Sequence, residues 1–370
     1  MESAVEAGGP SAVEAISERL SEWLGAPLGL FRPLASGWET TIFEFELAAH
    51  TQRAADIPTG ARLVLRCYEG LAAHAKAAHE SRVMFNLARA GYPTPRPFAF
   101  EPNRAALGAP FMIMERAAGG PLFATKSFPQ AFQTFSLGFA AFVHAQTKLH
   151  RLPAATIPAG GAAAPNPNNG NGAGSQSAAT LLDRALAAIG ERIERGPLPG
   201  LEDAFLKLRQ EAPRFRSAPE VPVHLDYHPQ NVIVSGFRVT GVIDWVKADR
   251  GDRHLDAATT AAILATSAMD RPRWMRDNPA GNTLRRLFAA LYIPAYQALA
   301  PMDLKHFRYC QAVAGLFRLS TFGMMRAQGP EAVGYRPEAI GHVIPDVVRL
   351  LGRYTARKCG VAVAIPPPRA

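Results

Sequence analysis

Val223-His-Leu-Asp-Tyr-His-Pro-Gln-Asn-Val-Ile-Val-Ser-Gly-Phe-Arg-Val-Thr-Gly-Val-Ile-Asp-Trp245 is the stretch on which the reading of this chain turns. Four side chains able to accept protons or bind cations, His224, Asp226, Asn231 and Asp244, stand at the edges of two short apolar runs. The runs, Val232 to Val234 and Val239 to Ile243, flank the turn-like Ser235-Gly-Phe-Arg238 and are expected to pair as an antiparallel hairpin. Pairing would bring Asn231, just before the first strand, beside Asp244, just after the second. Two oxygen donors then converge. A hard cation such as Mg2+ needs this, because it takes oxygen ligands and relies on one or two protein groups together with substrate phosphates. Asp226 comes from the preceding loop, stays outside that pair, and is free to accept or orient a hydroxyl proton. Any one of these residues alone reads equally well as the cap of a turn or the end of a strand; all four at this spacing do not.

The pattern H-x-D-x-x-x-x-N followed by Ile-Asp-Trp resembles the aminoglycoside phosphotransferase and choline kinase group of small-molecule kinases. Gly251-Asp-Arg-His-Leu-Asp256 stands where that group has its G-D-x-x-x-D element. The likeness runs from about Phe31 to Ala261, and its specific part is the catalytic stretch. It implies an α+β, two-lobed protein-kinase-like fold, with a small antiparallel-sheet first lobe carrying one helix and a larger, mainly helical second lobe. It also implies ATP, or GTP, as co-substrate, with Mg2+ on Asn231 and Asp244. Asp226 takes the catalytic role, and His224 and Asp256 support the catalytic loop.

The first lobe supplies the other parts such a site needs. Three segments are expected: an N-terminal amphipathic helix within 1–27, a nucleotide-binding lobe over 28–116, and a helical lobe with the acceptor site over 117–370. Ser11-Ala-Val-Glu14 reads as a capping box, and Val13, Ile16, Leu20, Trp23 and Leu24 recur at helical spacing. Strands are expected at Leu30–Leu34, Thr41–Leu47, Arg62–Tyr68 and Phe111–Glu115, with one helix over Leu71–Ala90. Ser36-Gly37 lies between two strands, as a phosphate-covering turn should, although a single glycine followed by Trp38 and Glu39 is also an ordinary hairpin. Arg66 occupies the basic position of its strand, where protein kinases have lysine; a guanidinium can hold phosphate oxygens and a carboxylate together. Glu80 is its expected partner. Met114, in the strand leading to the lobe connection, is expected near the purine or in the core.

Beyond Gly119-Gly120-Pro121 the pattern is helical, with segments near 128–152, 179–195, 201–212, 254–269, 282–299, 303–325 and 337–358, and nothing but helices after Ile243. The segment 153–178 is poor in apolar side chains and reads as a flexible loop inside a domain. His150, in Leu149-His-Arg-Leu152, is expected to pack and hydrogen-bond rather than catalyse.

Composition restricts the partners. A chain of 370 residues with 48% hydrophobic and 19% charged residues can bury a full core, which excludes a disordered chain and a coiled coil. Acids follow the initiating Met where an export signal would carry bases, and the longest low-polarity run, Ala257 to Met269, is too short to span a bilayer. A cytoplasmic protein with no membrane partner is expected. Cys67, Cys310 and Cys359 are far apart with no C-x-x-C spacing, so neither a disulfide framework nor a zinc site is indicated. The net charge of +9 belongs to the last third, where residues 247–370 carry 18 bases against 9 acids. No run of five like charges occurs, so no nucleic-acid partner is expected. In the resembling group that region builds the pocket for a small hydroxylated substrate, and its basicity points to a neutral or anionic acceptor rather than a polycationic aminoglycoside. A nucleotide-binding regulatory protein without turnover, and an aminoglycoside or macrolide antibiotic kinase, are the alternatives. Trp274, Phe288, Tyr292, Tyr296, Phe307, Tyr309 and Phe317 read first as core and second as pocket walls. The oligomeric state is not legible.

Overall fold

Strict alternation in the first strands decides which side chains meet the rest of the protein. The computed structural model describes residues 10–36, 40–51, 53, 56–70, 72–122, 128–159, 179–215, 218–266 and 279–365. Strands β1 (Leu28–Ser36), β2 (Thr40–Leu47), β3 (Arg62–Tyr68), β4 (Pro97–Glu101) and β5 (Phe111–Glu115) form one antiparallel sheet in the order β1-β2-β3-β5-β4. On one face Phe43, Phe45, Leu47, Leu63, Leu65, Phe111 and Ile113 cluster with Leu20 and Leu24 of helix α1 (Pro10–Leu24). Val64, Tyr68, Met112 and Met114 point the other way and join the main core, which helix α2 (Ala73–Arg89) also enters through Val83, Met84 and Leu87. Arg66 lies between Val64 and Tyr68 in this alternation, so it belongs to the inward face. A one-residue slip of β3 would turn it away.

The remainder is mainly helical: α3 (Phe128–Leu149), α4 (Leu181–Arg195), α5 (Glu202–Glu211), α6 (Arg253–Thr266), α7 (Pro279–Leu299), α8 (Leu304–Gln328) and α9 (Pro345–Cys359). The expected hairpin is present as β8 (Val232–Ser235) and β9 (Arg238–Val242), and β6 (Gly120–Pro121) adds a third strand beside β8. Gly119 permits that contact. Its φ is +95°, and a Cβ there would fall 2.0 Å from the carbonyl oxygen of Val234. A second small ribbon pairs β7 (Glu220–Val223) with β10 (Asp249–Asp252).

Several expectations need correction. Helix α1 is described from Pro10 to Leu24, and the Ser11 side chain of the expected capping box lies outside the described residues. β4 escapes the sequence reading because Pro97-Phe-Ala-Phe-Glu101 opens with proline, as an edge strand can. β10 interrupts the expected all-helical tail: Asp249-Arg-Gly-Asp252 has no apolar alternation, and pairing with β7 alone makes it a strand. The last expected helix is broken, with a 3-10 turn at Pro337–His342 and α9 starting only at Pro345. Proline disfavours helical geometry in the residue before it, and Ile344 is extended at φ −74° and ψ 146°. Gly37, Trp38, Glu39, Trp274 and residues 160–178 lie outside the described residues. Phe288, Tyr292, Tyr296, Phe307 and Tyr309 are buried and form core rather than open walls, and Phe317 packs against that core partly buried.

Candidate active site

Trp245 fixes the end of the hairpin. Its side chain is fully buried, its indole N–H donates to the Val242 carbonyl at 2.8 Å, and its ring meets Tyr92 edge-on at 5.6 Å. Immediately before it, Asp244 adopts φ +68°, a left-handed conformation that aspartate tolerates better than most residues. The backbone reverses there, and the Asp244 side chain stays 37% exposed while its neighbour is anchored. The ladder continues one bond past the strands, since Ile243 N–H donates to the Asn231 carbonyl at 3.0 Å. Asn231 and Asp244 are thus held on adjacent backbone positions.

Arg66 ties the sheet to this point. One guanidinium nitrogen lies 3.2 Å from Glu80 Oε1 and another 2.6 Å from Asp244 Oδ1. Glu80, fully buried in α2, also accepts from the Tyr68 hydroxyl at 2.6 Å and from the Trp245 backbone N–H at 2.9 Å. Burial would raise the Asp244 carboxyl, but Arg66 outweighs it and holds the group below the usual carboxylate range. Arg66 Nε has no hydrogen-bond partner among the described residues.

The loop carrying Asp226 is pinned from below. Leu225 takes φ +60°, strained for a branched side chain, and its N–H donates to Asp256 Oδ1 at 2.5 Å. The other oxygen of Asp256 faces His150 Nε2 at 2.8 Å and accepts from the Gln146 amide at 3.0 Å. His150 Nδ1 meets the Tyr296 hydroxyl at 2.6 Å, and the Tyr292 hydroxyl donates to Gln146 at 2.6 Å. His224 closes the loop from inside: its Nε2 pairs with the Ile243 carbonyl at 3.0 Å and its Nδ1 accepts the Asp226 N–H at 3.3 Å. Burial pushes the His224 imidazole below its ordinary value, so it is neutral, as one donor and one acceptor require.

Asp226 itself receives Lys247 Nζ at 2.8 Å. Burial would raise its carboxyl, yet Lys247, with His228 and Arg318, holds it well below the usual range. The Asn231 amide nitrogen donates to the Asp226 carbonyl at 3.0 Å, which turns Asn231 Oδ1 to the opposite side of its amide. Asp244 similarly presents Oδ2 once Oδ1 is engaged by Arg66. The donors this leaves are two oxygens, one neutral and one anionic, and that set suits Mg2+. A thiophilic metal would find no nitrogen or sulfur ligand in this pair.

Of the residues singled out in the sequence, Arg66, Glu80, Asp226, Asn231 and Asp244 are linked by direct contacts or adjacent backbone. His224 and Asp256 lie beneath them. Met114, 5% exposed in β5, is paired with Val64 and joins the inward face of the sheet. Ser36 ends β1 opposite Thr41. The sequence reading missed Tyr68, which shares the face of Arg66 by strand period, and Gln146, one helical turn before His150. It also missed Lys247. No spacing rule signals that lysine, because the left-handed turn at Asp244 is what folds the chain back toward Asp226.

A sequence model of the phosphotransferase enzyme family matches residues 31–302. The chain belongs to that family. This phosphotransferase is a small-molecule kinase, and its two-lobed architecture is shared by solved structures at low identity. A candidate aminoglycoside phosphotransferase from Ralstonia eutropha JMP134 is 16% identical and superposes with a TM-score of 0.59, covering 92% of this chain and 98% of its own. A thermostable mutant of aminoglycoside phosphotransferase APH(4)-Ia, in a ternary complex with ADP and hygromycin B, is 18% identical with a TM-score of 0.57 over 90% of this chain and 98% of that one. The aminoglycoside 3'-phosphotransferase of type VIII gives 16% and 0.52 over 83% and 99%. No curated protein sequence matches this phosphotransferase. Among its described residues no helix is long and apolar enough to cross a membrane.

Proposed function

We propose that this kinase transfers the γ-phosphate of ATP to a hydroxyl of a neutral or anionic small molecule, with Asp226 orienting the acceptor. The observation that carries the reading is the Arg66 guanidinium bridging Glu80 and Asp244 at 3.2 and 2.6 Å. It joins the basic group of the sheet to the carboxylate after the hairpin, across the line where a nucleotide would lie. ATP is favoured because a related fold binds ADP in its ternary complex.

In this reading Arg66 stabilises negative charge on the phosphates, and Glu80 keeps its guanidinium in place. Asn231 and Asp244 would hold Mg2+, which would neutralise charge developing on the transferred group. Asp226, ionised and fixed by Lys247, accepts a hydrogen bond from the acceptor hydroxyl and aligns it for in-line attack. His224 and Asp256 set the loop that carries it. Positioning and charge stabilisation supply most of the acceleration.

Charge supports the acceptor class. Lys247 and Arg318, two cationic side chains, act on Asp226. A polycationic aminoglycoside would meet them with repulsion, whereas a neutral polyol or a carboxylate-bearing or phosphate-bearing alcohol would not.

The test is a screen of hydroxylated metabolites and antibiotics for ADP release with Mg2+, followed by Asp226→Ala on the best acceptor. Transfer should fall by about 10³-fold or more while ATP affinity stays within about threefold. Unchanged turnover in that variant would overturn the assignment of Asp226. A strong preference for aminoglycosides over anionic alcohols would overturn the acceptor class.

A further inference from the structure

Away from the catalytic cleft, one buried cluster combines three different metal-binding side chains. His306-Phe-Arg-Tyr-Cys310 puts a histidine and a cysteine four residues apart on one face of α8, a spacing at which two helical side chains can share a ligand. Asp252, which ends β10 just before α6, faces them. Its Oδ2 lies 2.7 Å from His306 Nε2 and 3.8 Å from Cys310 Sγ, and one ligand atom from each of the three residues falls within 4.8 Å of the others. Asp252 and His306 are each 8% exposed and Cys310 0%.

The polar groups here are incompletely satisfied. His306 Nε2 faces Asp252 Oδ2 at 2.7 Å. Nε2 of His254, 7% exposed, whose ring stacks on His306 at 4.4 Å, has no hydrogen-bond partner among the described residues. Buried imidazole nitrogens normally find a partner. A buried carboxylate, imidazole and thiol whose ligand atoms converge, next to one imidazole nitrogen without a partner, suit a cation that takes nitrogen and sulfur.

We infer that Asp252, His306 and Cys310 form a transition-metal site, with Zn2+ as the fitting ion. Mixed oxygen, nitrogen and sulfur donation suits Zn2+ and disfavours Mg2+, which takes oxygen alone. Binding replaces waters of the hydrated ion with Zn–O, Zn–N and Zn–S bonds and releases those waters and the Cys310 thiol proton to solvent, with no change of oxidation state. The three ligands come from two elements distant in sequence. The ion would therefore clamp α8 to the start of α6, whose first turn carries Asp256, and act as a structural support rather than in phosphoryl transfer.

The full-length protein, stripped with chelator and titrated with Co2+, tests this without any substitution. A thiolate-to-cobalt charge-transfer band saturating at one equivalent is expected; its absence overturns the inference. Elemental analysis after incubation with Zn2+ and gel filtration should give about one Zn per chain in the parent and in Asp244→Asn, and less than about a tenth of that in Cys310→Ala and His306→Gln. Equal retention in all four proteins overturns it, as does retention lost only in Asp244→Asn. Circular dichroism of the two cluster variants separates a lost ligand from a lost fold.

Discussion

Lys247 Nζ lies 2.8 Å from Asp226 Oδ2, and Lys247 is the foremost of the groups that keep this residue, at the centre of the proposed chemistry, ionised. Burial alone would push the Asp226 carboxyl up; the ammonium, which has a side chain 39% exposed, reverses the sign. The carboxylate is then ionised at neutral pH and oriented by the ion pair.

Lys247→Met should therefore change the pH profile as well as the rate. In the parent, Asp226 ionises below the ordinary carboxylate value of about 4, so kcat/KM should show no acid limb above that pH from this group. Without Lys247, burial dominates and the limb should move up by about one unit or more. Superimposable profiles would show that the ion pair does not govern the group.

Asp244→Asn separates charge from backbone. Asparagine tolerates φ +68° as well as aspartate does, so the turn before Trp245 should survive. The variant keeps an oxygen but loses the charge facing Arg66. Transfer should drop by about 10²-fold or more, with a melting temperature within a few degrees of the parent. Retained activity would remove Asp244 from the site; a collapsed fold would mean that the Arg66 pair is structural first.

Asp256→Ala deletes the acceptor shared by Leu225 N–H, His150 and Gln146. It strands three buried donors beneath a strained loop, and unfolding free energy should fall by about 3 kcal/mol in urea titration. Activity should fall further than stability explains, because Leu225 loses the bond that holds its left-handed backbone next to Asp226. A loss under about 0.5 kcal/mol would show that the network is dispensable.

Stability should fall on mild acidification. Burial holds His224 below its ordinary pKa in the folded state, and His79 likewise. The unfolded chain then binds more protons than the folded one below about pH 6.5, so this contribution is present above that value and is lost as pH falls. Each such histidine contributes a slope of up to about 1.4 kcal/mol per pH unit. In His224→Gln that slope should shrink by one group's share; an unchanged slope would mean that the imidazole is charged in the fold.

Local sequence determined a good deal here. The spacing of Asp226, Asn231 and Asp244 around a predictable hairpin gave the family-like motif, and strand alternation alone put Arg66 and Tyr68 on one face. Helical periodicity located most helices, because an amphipathic pattern reflects a single buried side. Tertiary structure decided what no local pattern encodes. β10 is a strand only because β7 lies beside it, and Lys247 reaches Asp226 only because Asp244 turns left-handed over the anchored Trp245. Asp252, His306 and Cys310 meet only because α8 packs on α6. In each case the partner is many residues away or behind a backbone reversal, and its contribution is absent from the chain until the core has formed.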